Sequence, residues 1–294
     1  MRFDLDLDAM LAKCERLQWS VTQVDWDAPG RDAVRPEQAH ALAGFMADLY
    51  WIESIAAVVF RAMAGRTRAA TLRSIFESFA IDEQRHADAE LLLMRRWGIS
   101  ARNEVPAPNP NVRNLMRALE RAADKVHPAV YSAIIPFTEL VLDGALVKHL
   151  EVTVKDPVCA HVFRRINADE ARHLAVDFYM LERFGGEDPR RTRRAAARAL
   201  MHPVILYGLL LGYLPMLTRA RPNLLRIGLG EDKVFACIRR YIALGDESPQ
   251  AARHPAYASF RELSRRTVAG RSEPGEWLMR ISDVFDSLNL RLAS

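Results

Sequence analysis

One five-residue phrase occurs twice in this chain, 87 residues apart: Asp82-Glu83-Gln84-Arg85-His86 and Asp169-Glu170-Ala171-Arg172-His173. Another glutamate stands about thirty residues ahead of each copy, Glu53 before the first and Glu139 before the second. In a helix, residues i and i+3 share one face, so each phrase can point a carboxylate and an imidazole inward together. Four glutamates and two histidines in this order can make a carboxylate-bridged pair of metal ions inside a helical bundle.

Composition does not produce the repeat by chance. With 18 Glu and 8 His in 294 residues, about one half of a Glu-x-x-His match is expected, and three occur. The third, Glu37-Gln38-Ala39-His40, has no preceding Asp and no upstream partner, and it reads as a helix start after Pro36. The likeness also runs beyond the phrase. The same offset aligns Phe76 with Phe163, and Arg96-Trp97-Gly98 with Arg183-Phe184-Gly185. That is the pattern of a duplicated helix pair with a glycine stop in each half.

Length and composition are compatible with one large helical domain. Half the residues are hydrophobic and the net charge is +4, so the chain is not of the disordered class. Five of the 41 basic residues are lysines, a skew toward arginine that comes with no nucleic-acid-binding motif. Nucleic acid is not an expected partner. Cys14, Cys159 and Cys237 are scattered, which excludes a Cys-x-x-Cys metal site. No signal core follows the first residues, and a cytoplasmic location is expected.

The expected organisation is an N-terminal extension over 1–35, a bundle over 36–185 and a helical extension over 186–294. Pro36 opens the first bundle helix, through Ala64, with Leu42, Phe45, Met46, Leu49, Ile52, Ala56, Val59 and Phe60 on its apolar stripe around Glu53. The second runs from about Thr67 to Trp97. The Pro- and Asn-rich stretch near 99–112 is the crossover. A short amphipathic helix over 112–126 follows it. The third bundle helix spans Pro128 to Val154, and the fourth opens at Asp156-Pro157 and ends near Phe184. Each glutamate lies about 13–16 residues from its interhelical turn, or roughly 20–24 Å, so the two of each pair lie at similar height.

Carboxylates and imidazoles suit iron or manganese. Four buried glutamates would be very costly without a counter-charge, and two divalent cations balance them. A metal-bound histidine commonly gives its second N–H to a carboxylate. Asp82 is expected to serve His173, and Asp169 to serve His86. Arg85 and Arg172 read as salt-bridge or surface residues. Glu90 and Asp177, one turn past each histidine, read either as outer carboxylates or as an exposed face. His149, His161, His202 and His254 have no ligand-like context.

The pattern resembles the ferritin-like di-iron carboxylate superfamily over roughly residues 36–185. It looks most like the oxygenase branch of p-aminobenzoate N-oxygenases, acyl-carrier-protein desaturases and multicomponent monooxygenases. The resemblance implies an all-α, ferritin-like four-helix bundle with added N- and C-terminal helices. It implies that Glu53, Glu83, His86, Glu139, Glu170 and His173 bind two iron ions, with Fe/Mn or Mn as alternatives. It also implies a di-iron oxygenase or oxidase that uses O2 on a small organic or acyl substrate. A ferredoxin or reductase would supply electrons, and a homodimer is expected. Three departures separate the chain from known branches. Ile166 stands where arylamine N-oxygenases carry an extra histidine. Leu142 and Asp143 stand where several hydroxylases and desaturases carry threonine. Glu90 and Asp177 replace the tyrosine of a radical-generating subunit.

Ala56 and Ala57, one turn past Glu53, could leave space beside the metals. Residues 199–218 carry no formal charge and meet the length of a membrane span, but Pro203, Pro215, Gly208 and Gly212 favour a buried or interface helix. Membrane association is the less favoured reading. Rival functions are iron storage or peroxide detoxification, a scaffold with a relic site, and an Fe/Mn ligand-binding oxidase that differs only in its metals.

Overall fold

The computed structural model describes residues 3–101, 104–216, 227–269 and 273–293, and among them every regular element is helical. After α1 (Leu7–Arg16), two long helices, α2 (Pro36–Arg66) and α3 (Ala70–Arg96), pack as the first pair. The second pair is α5 (Pro128–Val141), extended by a π-helical stretch (Leu142–Val147) into α6 (Lys148–Thr153), against α7 (Pro157–Gly185). Between the pairs runs α4 (Pro110–Ala122), followed by a short 3-10 turn (Ala123–Lys125).

Local sequence explains the boundaries. Pro36 and Pro157 occupy the first turns of α2 and α7, where no N–H partner is needed. The Asn109 side chain accepts from the N–H groups of Asn111 and Val112 and starts α4. Two apolar clusters fill the bundle above and below its middle. One gathers Leu42, Met46, Leu49, Phe163 and Ile166, and the other Phe60, Phe76, Phe79 and Val176.

Two expectations change. The glycines at the ends of the paired helices do different work. Gly98 adopts φ +68° and stops α3, the left-handed ending that glycine tolerates best. Gly185 has no positive φ; a side chain there would meet Gln250 O at 2.0 Å, so its role is close packing against residues 249–253. The third bundle helix is also not one regular helix. Pro136 gives no N–H to the ladder, and the chain widens into the π stretch three residues after Glu139.

The remaining helices are α8 (Pro189–Met201), α9 (Pro203–Gly208) with a π stretch (Leu209–Tyr213), α10 (Glu231–Asp246), α11 (Pro249–Arg253), α12 (Pro255–Val268) and α13 (Glu273–Ala293). α9 and its π stretch lie on α4, α10 lies on α5, and α11 lies on α7. The axes of α8 and the 203–216 segment meet at 77°, so the uncharged run is bent rather than a straight span. Leu217 and Thr218 lie outside the described residues. Among the described helices, α2 alone is long and apolar enough to cross a membrane, and half of its most apolar window is buried in the bundle.

Asp156 ties the two pairs together. It accepts from Arg96 Nε and Trp97 Nε1, both at 2.8 Å, and caps α7 through Val158 N at 2.9 Å. The Arg96 and Asp156 side chains are fully enclosed. Asp156→Ala strands a buried guanidinium, and we predict a loss of about 3–5 kcal/mol in unfolding free energy by urea titration.

Candidate metal centre

Each long helix brings its ligands to the middle of the bundle. Glu53 comes from α2, Glu83 and His86 from α3, Glu139 from α5, and Glu170 and His173 from α7. All six side chains are buried. They form two sets, Glu53/Glu83/His86/Glu170 and Glu83/Glu139/Glu170/His173, and within each set one ligand atom per residue lies within 4.8 Å of the others. Glu83 and Glu170 belong to both sets, so the glutamates of the repeated phrases are placed to bridge. Glu53 with His86 and Glu139 with His173 complete either end.

The electrostatics describe a centre short of positive charge. Burial pushes up the Glu53 carboxyl, and it pushes Glu83 and Glu139 further because facing carboxylates add to the effect. Burial would raise Glu170 too, but the charges and hydrogen bonds of His173 and His86 hold it at about 2. Burial opposes a charged His86, yet Asp169 and Glu170 lift it to about 9. His173 likewise shifts up against burial through Glu170 and Asp82. His86 Nδ1 sits 2.9 Å from Glu170 Oε1, and among the described groups both Glu139 oxygens lack a donor. Protons therefore stand in for cations here. The hard oxygen donors, the two inward imidazole nitrogens and the sharing of two glutamates fit a pair of divalent ions. Their binding displaces protons, so affinity rises with pH.

Behind the histidines lies a second buried layer. His86 Nε2 is 3.0 Å from Asp169 Oδ2, and His173 Nε2 is 3.4 Å from Asp82 Oδ2, each aspartate reaching the histidine of the other half. Arg85 and Arg172 each bridge both aspartates. Arg85 pairs with Asp82 and lies 3.3 Å from Asp169; Arg172 lies 2.6 Å from Asp169 and 3.3 Å from Asp82. Burial alone would raise these aspartates, but their histidine contacts hold both carboxyls below the ordinary range, Asp169 the further of the two. Of the two readings of these arginines, the salt bridge holds and the surface position does not. They neutralise the two aspartates so that these can orient histidines.

Sequence reasoning missed two contributors from the N-terminal segment. Trp19 Nε1 donates to Asp169 Oδ2 at 2.8 Å, and Gln18 Nε2 donates to Asp82 Oδ1 at 2.9 Å. No spacing in residues 1–35 pointed to them. Elsewhere, Glu37 and His40 are exposed at the start of α2. His149 contacts Ile227 O, and His254 accepts from Tyr257 N. Ile166 is a core residue. Glu90 and Asp177 are both fully buried, and Asp177 faces Glu139 closely enough for a hydrogen bond. The side chains of Leu142 and Asp143 lie outside those described.

On the opposite flank a cavity of about 450 Å³ reaches the four glutamates. Neither histidine lines it. Its walls are mostly aliphatic and aromatic, with Ile52, Ala56, Val59, Phe60 and Ile135 beside the carboxylates. Ala56 is a lining residue, whereas Ala57 is packed in the bundle interior away from it. Leu115 and Leu119 of α4, and Ala199, Ile205 and Leu209 from the α8–α9 region, close the far side.

No family model matches the chain, and no curated protein matches it. Solved structures of R2-like ligand-binding oxidases are similar in fold. A tyrosine-to-phenylalanine variant with an aerobically reconstituted Mn/Fe cofactor aligns with 84% of this chain and 95% of its own length, at 15% identity and a TM-score of 0.58. A glycine-to-leucine variant with an aerobically reconstituted Fe/Fe cofactor aligns with 97% of this chain and 93% of its own, at 14% identity and a TM-score of 0.52. The same kind of variant with a non-activated Mn/Mn cofactor gives 98%, 92%, 14% and 0.52. These matches establish a ferritin-like helical fold.

Two outcomes follow from the geometry. Saturating Mn(II) or Fe(II), at about 1,000 times its dissociation constant, should add about 4 kcal/mol of stability, a rise of roughly 6–7 °C in Tm. Glu83→Ala removes a shared ligand and should abolish that rise in a thermal melt. Asp169→Asn should weaken binding at the His86 end about 10–100-fold in a metal titration, with the His173 end much less affected.

Proposed function

We propose that the chain is a di-metal oxidase that uses O2 to oxidise an apolar organic or acyl substrate held against Glu53 and Glu139. The observation that carries this reading is the contact between two overlapping four-ligand sets and one apolar cavity. A pair of iron ions, or iron with manganese, would supply redox chemistry toward O2 at this place. The R2-like oxidases of similar fold carry Mn/Fe, Fe/Fe or Mn/Mn cofactors, which supports a site of this class with more than one possible metal pair.

The chain's own groups divide the remaining tasks. Glu53, Glu83, His86, Glu139, Glu170 and His173 would hold the ions, Glu83 and Glu170 being common to both sets. Asp82 and Asp169 fix the outer nitrogens of the histidines, and the arginines keep those aspartates ionised in a buried place. The cavity wall orients an apolar molecule and keeps bulk water from the reacting atoms. Inserting one oxygen atom from O2 into a C–H bond, with the other leaving as water, consumes two electrons and two protons. A separate ferredoxin or reductase would deliver the electrons, since the sequence holds no flavin or iron–sulfur motif. Iron storage is less well served, because the walls beyond the glutamates offer a hydrated ion few ligands.

The test is to load the protein anaerobically with Fe(II), then admit O2 with a reductant and a mixture of medium-chain acids, alcohols and arylamines. O2 uptake and an oxygenated or desaturated product by mass spectrometry are expected. Metal-replete protein that consumes no O2 would refute the proposal. Ala56→Phe fills space beside Glu53. It should retain two metals while product formation falls at least about tenfold, because a ring there displaces the substrate from its reactive position.

A further inference from the structure

The corner between α8 and α9 is uncommonly exposed for so apolar a feature. Met201 is 83% exposed and Leu200 50%, and Leu206 and Tyr207 are exposed beyond the bend. The helix leading into this corner carries Arg190, Arg191, Arg193, Arg194 and Arg198, all exposed, and among the described residues none of the five makes an ion pair. No acidic residue occurs from Pro189 through Met216; Asp188 lies just before and is used as the cap, accepting from Arg190 N. Helical spacing orders this surface. Thr192 and Ala199 are buried on one side of α8, while Arg190, Arg194 and Arg198 and then Met201 follow at i, i+4, i+8 and i+11 on the other.

The corner is also where the cavity approaches the surface. Leu200 both lines the cavity and stands half-exposed, and Ser259 on α12 does the same across from it. The lining of the cavity thus extends from the glutamates to an exposed, arginine-flanked corner.

We infer that the α8–α9 corner docks on an anionic lipid surface, the apolar tip entering the acyl layer and the arginines meeting lipid phosphates, so that an apolar substrate enters the cavity directly from the bilayer. Charge complementarity selects this occupant. Five unpaired guanidiniums suit bidentate contact with phosphate, and apolar side chains on a convex 77° corner suit insertion between headgroups. The docking stands on the surface alone; passage of substrate rests on the proposed oxidase reading.

The experiment floats the full-length, metal-loaded chain with vesicles of phosphatidylcholine, and with vesicles containing about 30 mol% phosphatidylglycerol. Partition onto the anionic vesicles should be at least about tenfold stronger, and about 0.5 M salt should reverse most of it. Arg190→Glu with Arg194→Glu, and separately Leu200→Ser with Met201→Ser, should each lower partition about tenfold or more. Metal content and Tm, read on the same samples, should stay at the parent values because all four residues are exposed. Equal or absent partition onto the two vesicle types overturns the docking, as do variants that bind like the parent. Retention by an immobilised acidic carrier protein, with no vesicle binding, also overturns it and assigns the surface to an acidic protein. Neither result touches the oxidase reading, which O2 uptake with substrate supplied from solvent tests separately.

Discussion

Four carboxylates from four different helices meet in the middle of an apolar bundle, and the rest of the structure is arranged around their charge. Burying four acids so close together is unfavourable unless protons or cations compensate. In the chain by itself, raised carboxyls on Glu53, Glu83 and Glu139 and charged histidines supply that compensation. Two divalent ions would replace it with ligand bonds to the same atoms. Because one carboxylate comes from each long helix, ion binding and bundle packing are a single equilibrium.

The repeated phrase makes sense as a lock between halves. Each half supplies an aspartate, an arginine and a histidine, but the aspartate of one half serves the histidine of the other. The arginines cross as well, each touching both aspartates. A single helix pair would leave its aspartate without a histidine and its arginine half-paired in a buried place. The four-membered Asp/Arg ring is neutral as a unit, so it orients the histidines without adding to the charge that the metal pair must balance. Trp19 and Gln18 fill the remaining acceptor positions from outside the bundle, which gives the N-terminal segment a direct bearing on the site.

The bundle and its six inward residues were legible because they follow helical arithmetic: equal arm lengths, i and i+3 pairs, Pro at helix starts. The swapped aspartates were legible because metal-bound histidines need a second partner. What stayed hidden depends on tertiary contact rather than spacing. Gln18 and Trp19 sit in a segment without periodicity. Gly185 matched Gly98 in sequence but serves packing against residues 249–253 instead of a turn. The π stretch after Glu139 leaves no mark in hydrophobic pattern beyond Pro136. The uncharged run from Ala199 read as one element, yet it is bent at Met201–Pro203 and contributes one wall of the cavity.

That wall gives the centre two unlike flanks. The histidines face the charged ring, and the glutamates alone face the cavity. Histidine positions are tightly held, because each histidine contacts an aspartate that both arginines pair with, and Trp19 also donates to Asp169. The glutamates are held less firmly; neither Glu139 oxygen accepts from a donor among the described residues. Carboxylates can change from one-oxygen to two-oxygen binding by small rotations, so the flank open to substrate is also the flank free to rearrange. Ligand identity alone cannot set the reaction under this arrangement, since the same six residues would serve any occupant of the cavity. Residues outside the bundle shape the cavity: Leu115 and Leu119 on α4, and Ala199, Ile205 and Leu209 beyond α7, line the space in front of an otherwise symmetric centre.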